Sequence, residues 1–96
     1  MATTTNFQPN VTKDSVKTMK LHELARIARK DKPNWNGGIY FGAVPYLDAM
    51  ASLDNITDRY IMESGKSIVA YFLGNASMWR GETAKIVKAE LNRRLK

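Results

Sequence analysis

From Gly65 to Gly74 the chain reads Gly-Lys-Ser-Ile-Val-Ala-Tyr-Phe-Leu-Gly, apolar on almost every side if it is coiled into a helix. A helix with so little polar surface has to be buried, so everything else must be arranged to cover it. Ile61, Ile68, Phe72, Ala76 and Trp79 recur at helix-like steps, with Val69 and Leu73 widening the same face. Ser64 is suited to cap this helix and Ser77 to cap the next, which ends near Leu95. Gly74 to Ser77 gives a compact break between them. The stretch from Ser64 to Lys96 therefore reads as a helical hairpin, one arm buried and the other amphipathic and basic.

Two further helices are expected to complete the cover. The first begins near Asp14 or Ser15 and ends before Pro33. Leu21, Leu24, Ala25 and Ala28 form its buried stripe, with Ile27 alongside. His22, Arg26 and Arg29 lie on the opposite, solvated side, flanked by Lys30. The second runs roughly from Ala43 to Leu53, with Pro45 in its first turn, where the missing backbone donor would be unpaired anyway. Val44, Leu47, Met50 and Ala51 make its stripe, widened by Tyr46, Ala49 and Leu53. Asp54 to Asp58 is a polar break, followed by a short helical or turn-like piece through Ile61 and Met62. In the last helix Ala84, Val87, Leu91 and Leu95 face the core. The fold expected is all-α, a compact bundle of about four helices over residues 14–96, with a flexible tail over residues 1–13 whose polar, Thr-rich composition offers little to bury.

Between the first two helices, Lys32-Pro33-Asn34-Trp35-Asn36-Gly37-Gly38 is a Gly-rich loop. Asn36-Gly37 could close a short hairpin, but the arm before it is short, and an irregular loop is the preferred reading. Trp35, Tyr40 and Phe41 either plug this loop into the core, as large aromatics in a small domain favour, or present an aromatic contact surface.

Charge sharpens the functional question. The net charge of +6 is divided into a basic block, an acidic one and a basic one: +4 over Lys13–Lys32, −3 over Pro33–Glu63 and +5 over Ser64–Lys96. Such a pattern makes either a polyanion-binding face or internal charge matching. There is no cysteine and a single histidine, so no disulfide framework or thiolate metal site is available, and neither a metal nor a cofactor is expected. No apolar run is long enough to span a bilayer, and the N-terminus lacks the order of a secretory signal, which points to a cytoplasmic protein without a membrane partner. The three Asn-x-Ser/Thr sequences are then chance matches.

Glu63-Ser64-Gly65-Lys66-Ser67 invites comparison with a phosphate-binding loop, but Tyr60 stands where that motif needs its first glycine. Asp54 and Asp58, four residues apart, are better suited to capping than to holding a cation. At Trp79-Arg80-Gly81-Glu82 an anion could rest near Arg80, although packing of Trp79 is favoured. Candidate contacts for a polyanion or a partner are Arg26, Arg29, Arg80, Lys85, Lys88, Arg93 and Arg94. Trp35 and Tyr40 are candidate aromatic contacts.

Tyr40-Phe41-Gly42-Ala43-Val44-Pro45-Tyr46-Leu47-Asp48-Ala49-Met50, Ile68 to Ala76, and Trp79 to Glu82 resemble stretches of small uncharacterised proteins of bacteriophages and prophages. The resemblance covers roughly Leu21 to Lys96. It implies a bacterial host cell and a protein that acts by binding host machinery or phage nucleic acid. The reading that follows is a non-enzymatic interaction protein with a protein partner. The alternative is a nucleic-acid-binding protein that uses the basic faces of its first and last helices; homodimerisation through the apolar third helix is a further option.

Overall fold

Four helices and one short hairpin order the chain in the computed structural model, which describes residues 11–96. They are α1 (Leu21–Lys30), α2 (Val44–Met50), β1 (Arg59–Tyr60), β2 (Glu63–Ser64), α3 (Gly65–Gly74) and α4 (Glu82–Leu95). The fold is compact and mostly helical, as expected, but it is not purely α. The first ten residues of the expected tail lie outside the described residues; Val11 packs partly buried against the core.

The expected first helix is two pieces. A single 3-10 turn (Ser15–Thr18) ends in extended backbone at Met19 and Lys20, with ψ of 147° and 161°. Helix α1 starts beyond that break because the chain after α2 supplies its cap. The Leu21 and His22 N–H groups donate to the Asp54 and Leu53 carbonyls, each at 2.9 Å. Glu23 Oε1 reaches back to accept from the Lys20 N–H at 2.8 Å. These bonds satisfy donors that no residue within the helix can. The buried face of α1 is the expected one: Leu21, Leu24, Ala25, Ile27 and Ala28.

Helix α2 stops at Met50, short of Leu53, where the Ser52 hydroxyl donates to the Ala49 carbonyl at 3.0 Å and competes with continued helix. Leu53 is still buried, whereas Ala51 is exposed and leaves the expected stripe. The turn-like piece expected at Ile61-Met62 is the tip of an antiparallel hairpin, with Arg59 opposite Ser64 and Tyr60 opposite Glu63.

Helix α3 has the bounds read from the sequence. It begins on a glycine because a Cβ on Gly65 would lie 2.9 Å from the Asn55 carbonyl oxygen and 3.0 Å from the Ile56 backbone. Its leading donors are all engaged. The Gly65 N–H donates to the Asp58 carbonyl at 2.7 Å, the Lys66 N–H to the Ile56 carbonyl at 3.0 Å, and the Ser67 N–H to Ser64 Oγ at 3.1 Å. These three backbone N–H groups are therefore not free to cradle a phosphate, which weakens the likeness of Gly-Lys-Ser to a nucleotide loop.

The break between α3 and α4 is longer than the sequence suggested, and Gly81 rather than Ser77 precedes the last helix. Residues 78–80 lie beside residues 34–36. The Asn36 N–H donates to the Met78 carbonyl at 2.8 Å and the Arg80 N–H to the Asn34 carbonyl at 2.9 Å, so Trp35 and Trp79 form an antiparallel bridge. Their rings stack at 5.5 Å, nearly parallel, and Phe72 meets both at 6.3 and 6.4 Å. Both indole N–H groups are satisfied: Trp35 donates to the Ala28 carbonyl at 3.0 Å and Trp79 to the buried Asp31 carboxylate at 2.8 Å. This aromatic knot, with Ile68 and Val69 of α3, is the centre of the core. The buried side of α3 is therefore occupied within the chain itself.

Candidate functional site

The basic residues singled out in the sequence divide once their partners are known. Arg29 is paired with Asp48 of α2. Asp54 accepts from His22 Nδ1 at 3.1 Å and lies 3.7 Å from the Lys20 ammonium. Part of the acidic middle block thus answers the first basic block. Asp58 is spent on capping: its Oδ2 accepts from the Asn55 and Asp54 N–H groups at 2.9 Å each, and these two bonds hold its carboxyl below the ordinary value.

At the other end Glu90 is buried and gripped by two guanidinium groups. Arg93 donates to it at 3.0 and 2.6 Å and Arg94 at 2.6 Å. The Arg93 bond, with a smaller share from Arg94, lowers the Glu90 pKa against the opposing effect of burial. Arg94 also donates to the carbonyls of Val16 at 2.9 Å, Lys17 at 3.4 Å and Met19 at 2.6 Å. Its work is to fasten the last helix to the N-terminal turn. As candidates for an outside ligand, Arg94 is withdrawn, and Arg29 and Arg93 are committed to carboxylates. Arg26, Arg80 and Lys85 are exposed and make no ion pair or side-chain hydrogen bond among the described residues.

Lys88 is held differently. Its ammonium donates to the Trp79 carbonyl at 2.6 Å and stands 6.0 Å from that indole's centre. Burial first, and then repulsion from Arg80, depress its pKa. Ser77, Arg80, Lys85 and Lys88 line a hollow of about 380 Å³ floored by Trp79. A second hollow of about 470 Å³, between residues 13–17 and α4, mixes Lys13 and Lys17 with Glu82 and Glu90.

Of the two aromatic candidates, Trp35 is only 2% exposed and stacked in the core, so it cannot touch a partner. Tyr40 stays on the surface, its ring 5.0 Å from that of Phe41, which is 80% exposed. An ideal Cβ on Gly42 would fall 2.5 Å from the Tyr40 ring and 2.9 Å from Asn75 Oδ1, which puts Tyr40 against the C-terminal end of α3. There Asn75 Nδ2 donates to the Tyr71 carbonyl at 2.8 Å, and exposed Tyr71 lies 5.6 Å from Tyr46. Two aromatic pairs, Tyr40 with Phe41 and Tyr46 with Tyr71, are thus present near this end of α3.

The other exposed apolar group was not singled out in the sequence. Ile61 and Met62, at the hairpin tip, are 80% and 81% exposed, beside half-exposed Tyr60. Ile61 has φ +56°, the sole non-glycine residue with positive φ among those described. The sequence put Ile61 on the buried face that continues through Ile68 and Phe72 to Trp79, but Ile61 lies at the hairpin tip, outside α3, and is exposed.

No protein-family model, no curated protein and no solved structure matches the chain. The resemblance to small phage proteins gains nothing from these comparisons. Among the described residues no helix is long and apolar enough to cross a membrane.

Proposed function

We propose that this chain is a non-enzymatic interaction protein that binds a protein partner through the hairpin tip at the start of α3. The observation that carries this reading is Ile61. A β-branched residue in left-handed backbone costs about 1–2 kcal/mol relative to a residue that tolerates it. That cost yields no packing, since the side chain is exposed. Strain without an internal return, next to an equally exposed Met62, fits a side chain displayed for a partner. The exposed Tyr40, Phe41 and Tyr71 offer a second apolar contact at the far end of α3.

The test is capture from nuclease-treated bacterial lysate by the parent protein and by Ile61→Asn. Asparagine adopts positive φ readily, so this variant folds at least as stably while losing the apolar display. A partner held by the parent and lost by Ile61→Asn is the expected result. A partner set identical for both proteins would remove the hairpin tip from the proposal.

The nucleic-acid alternative rests on fewer residues than the sequence suggested, because Arg29, Arg93 and Arg94 have partners inside the fold. What it retains is Arg26 on the first helix and the cluster of Arg80, Lys85 and Lys88.

A further inference from the structure

We propose that the hollow lined by Ser77, Arg80, Lys85 and Lys88 is a binding site for one phosphate group. Three cationic side chains share this cavity of about 380 Å³, and none of them forms an ion pair with a carboxylate among the described residues. Three of the other candidate cations are paired within the fold: Arg29 with Asp48, and Arg93 and Arg94 with Glu90. Here the cations stand together without a carboxylate, and burial first, with repulsion from Arg80 added to it, lowers the basicity of Lys88. An anion between them would offset that repulsion.

The groups are also held in place. The Trp79 carbonyl fixes the Lys88 ammonium at 2.6 Å, leaving its other two N–H donors free for a ligand. The backbone of Arg80 is tied by its N–H to Asn34, so the guanidinium projects from an anchored strand. A guanidinium fork with two ammonium groups matches the oxygens of a phosphate. The hollow offers no open aromatic surface for a base, because Trp79 is 1% exposed. Nor does the cationic surface extend down α4 as a track, since Arg93 and Arg94 are turned to Glu90. One phosphate, rather than a run of them, is what the arrangement accommodates. This site is independent of the hairpin tip.

Amide NMR titrations with inorganic phosphate and with a short oligothymidylate test it, each at constant ionic strength adjusted with sodium chloride. Saturable shifts grouped at residues 77–88, weakened at least tenfold in Arg80→Gln/Lys85→Gln, are expected. If phosphate alone produces them, the ligand is a free or terminal phosphate. If only the oligonucleotide does, at the same residues and with the same loss, the ligand is a backbone phosphate. Both replaced residues are exposed, so the variant's spectrum should otherwise overlay that of the parent. Shifts that do not saturate, that chloride reproduces, or that survive the double substitution would overturn the site.

Discussion

Trp79 shows how much structure one side chain can decide. Its indole N–H donates to one oxygen of the Asp31 carboxylate at 2.8 Å, while Asn34 Nδ2 donates to the other at 2.9 Å. Trp79→Phe keeps most of the ring but strips a donor from a buried acceptor, a change that costs about 2–3 kcal/mol. Chemical denaturation should register it as a lower midpoint with an unchanged slope. Ile61 is the opposite case, a side chain that works against its own backbone. Ile61→Asn should raise stability by about 1 kcal/mol, because it relieves the left-handed strain and uncovers nothing. A loss of stability in that variant would mean that the isoleucine packs after all. Spacing placed both residues on one buried seam. Trp79 lies there, whereas Ile61 stands exposed in a two-residue hairpin, whose backbone angle leaves no periodic signal.

At the level of elements, the fold was legible where a helix carries its own instructions. The apolar run of α3 and the stripe of α1 needed no information from elsewhere in the chain. Boundaries set by distant residues were illegible: α1 starts at Leu21 because Leu53 and Asp54 cap it, and α4 starts after Gly81 because residues 78–80 pair with residues 34–36. The same limit applies to the candidate site. Spacing put Arg94 on an outer face, but the carbonyls of Val16 and Met19, far away in sequence, drew it inward. The two glycines that bound α3 separate these two kinds of instruction. Gly65→Ala would drive a methyl group into the Asn55 and Ile56 backbone, which cannot move aside cheaply, and should cost about 2 kcal/mol. Gly74→Ala meets nothing within 4 Å, so it should gain up to about 0.5–1 kcal/mol from helix propensity alone. Thermal melts of the two variants should therefore move in opposite directions.

For the whole molecule, the decisive fastening is the clasp that joins its two ends. Arg94 sits between buried Glu90 and the carbonyls of the N-terminal turn. Arg94→Ala leaves both the carboxylate and the carbonyls short of a donor and should cost about 3 kcal/mol. The clasp also sets an acid limit. The Glu90 pKa in the folded chain is held below its ordinary value of 4.5 by the Arg93 bond first and by Arg94 with it. A carboxyl depressed in this way stabilises the fold fully above that ordinary value, and its contribution is lost as pH falls through the lower, folded value. Asp58, depressed by its two backbone donors, acts in the same direction from 3.8 downward. Stability should therefore be flat above about pH 5 and decline below it. Glu90→Gln should be less stable than the parent at pH 7 and should converge on it as the pH falls through the folded value of the parent's carboxyl. Urea denaturation of both proteins at pH 7 and across the acid range reads this directly. A constant gap between them would assign the stability of the clasp to packing, with the Arg94 stem and its carbonyl bonds carrying it and the charge of Glu90 contributing nothing.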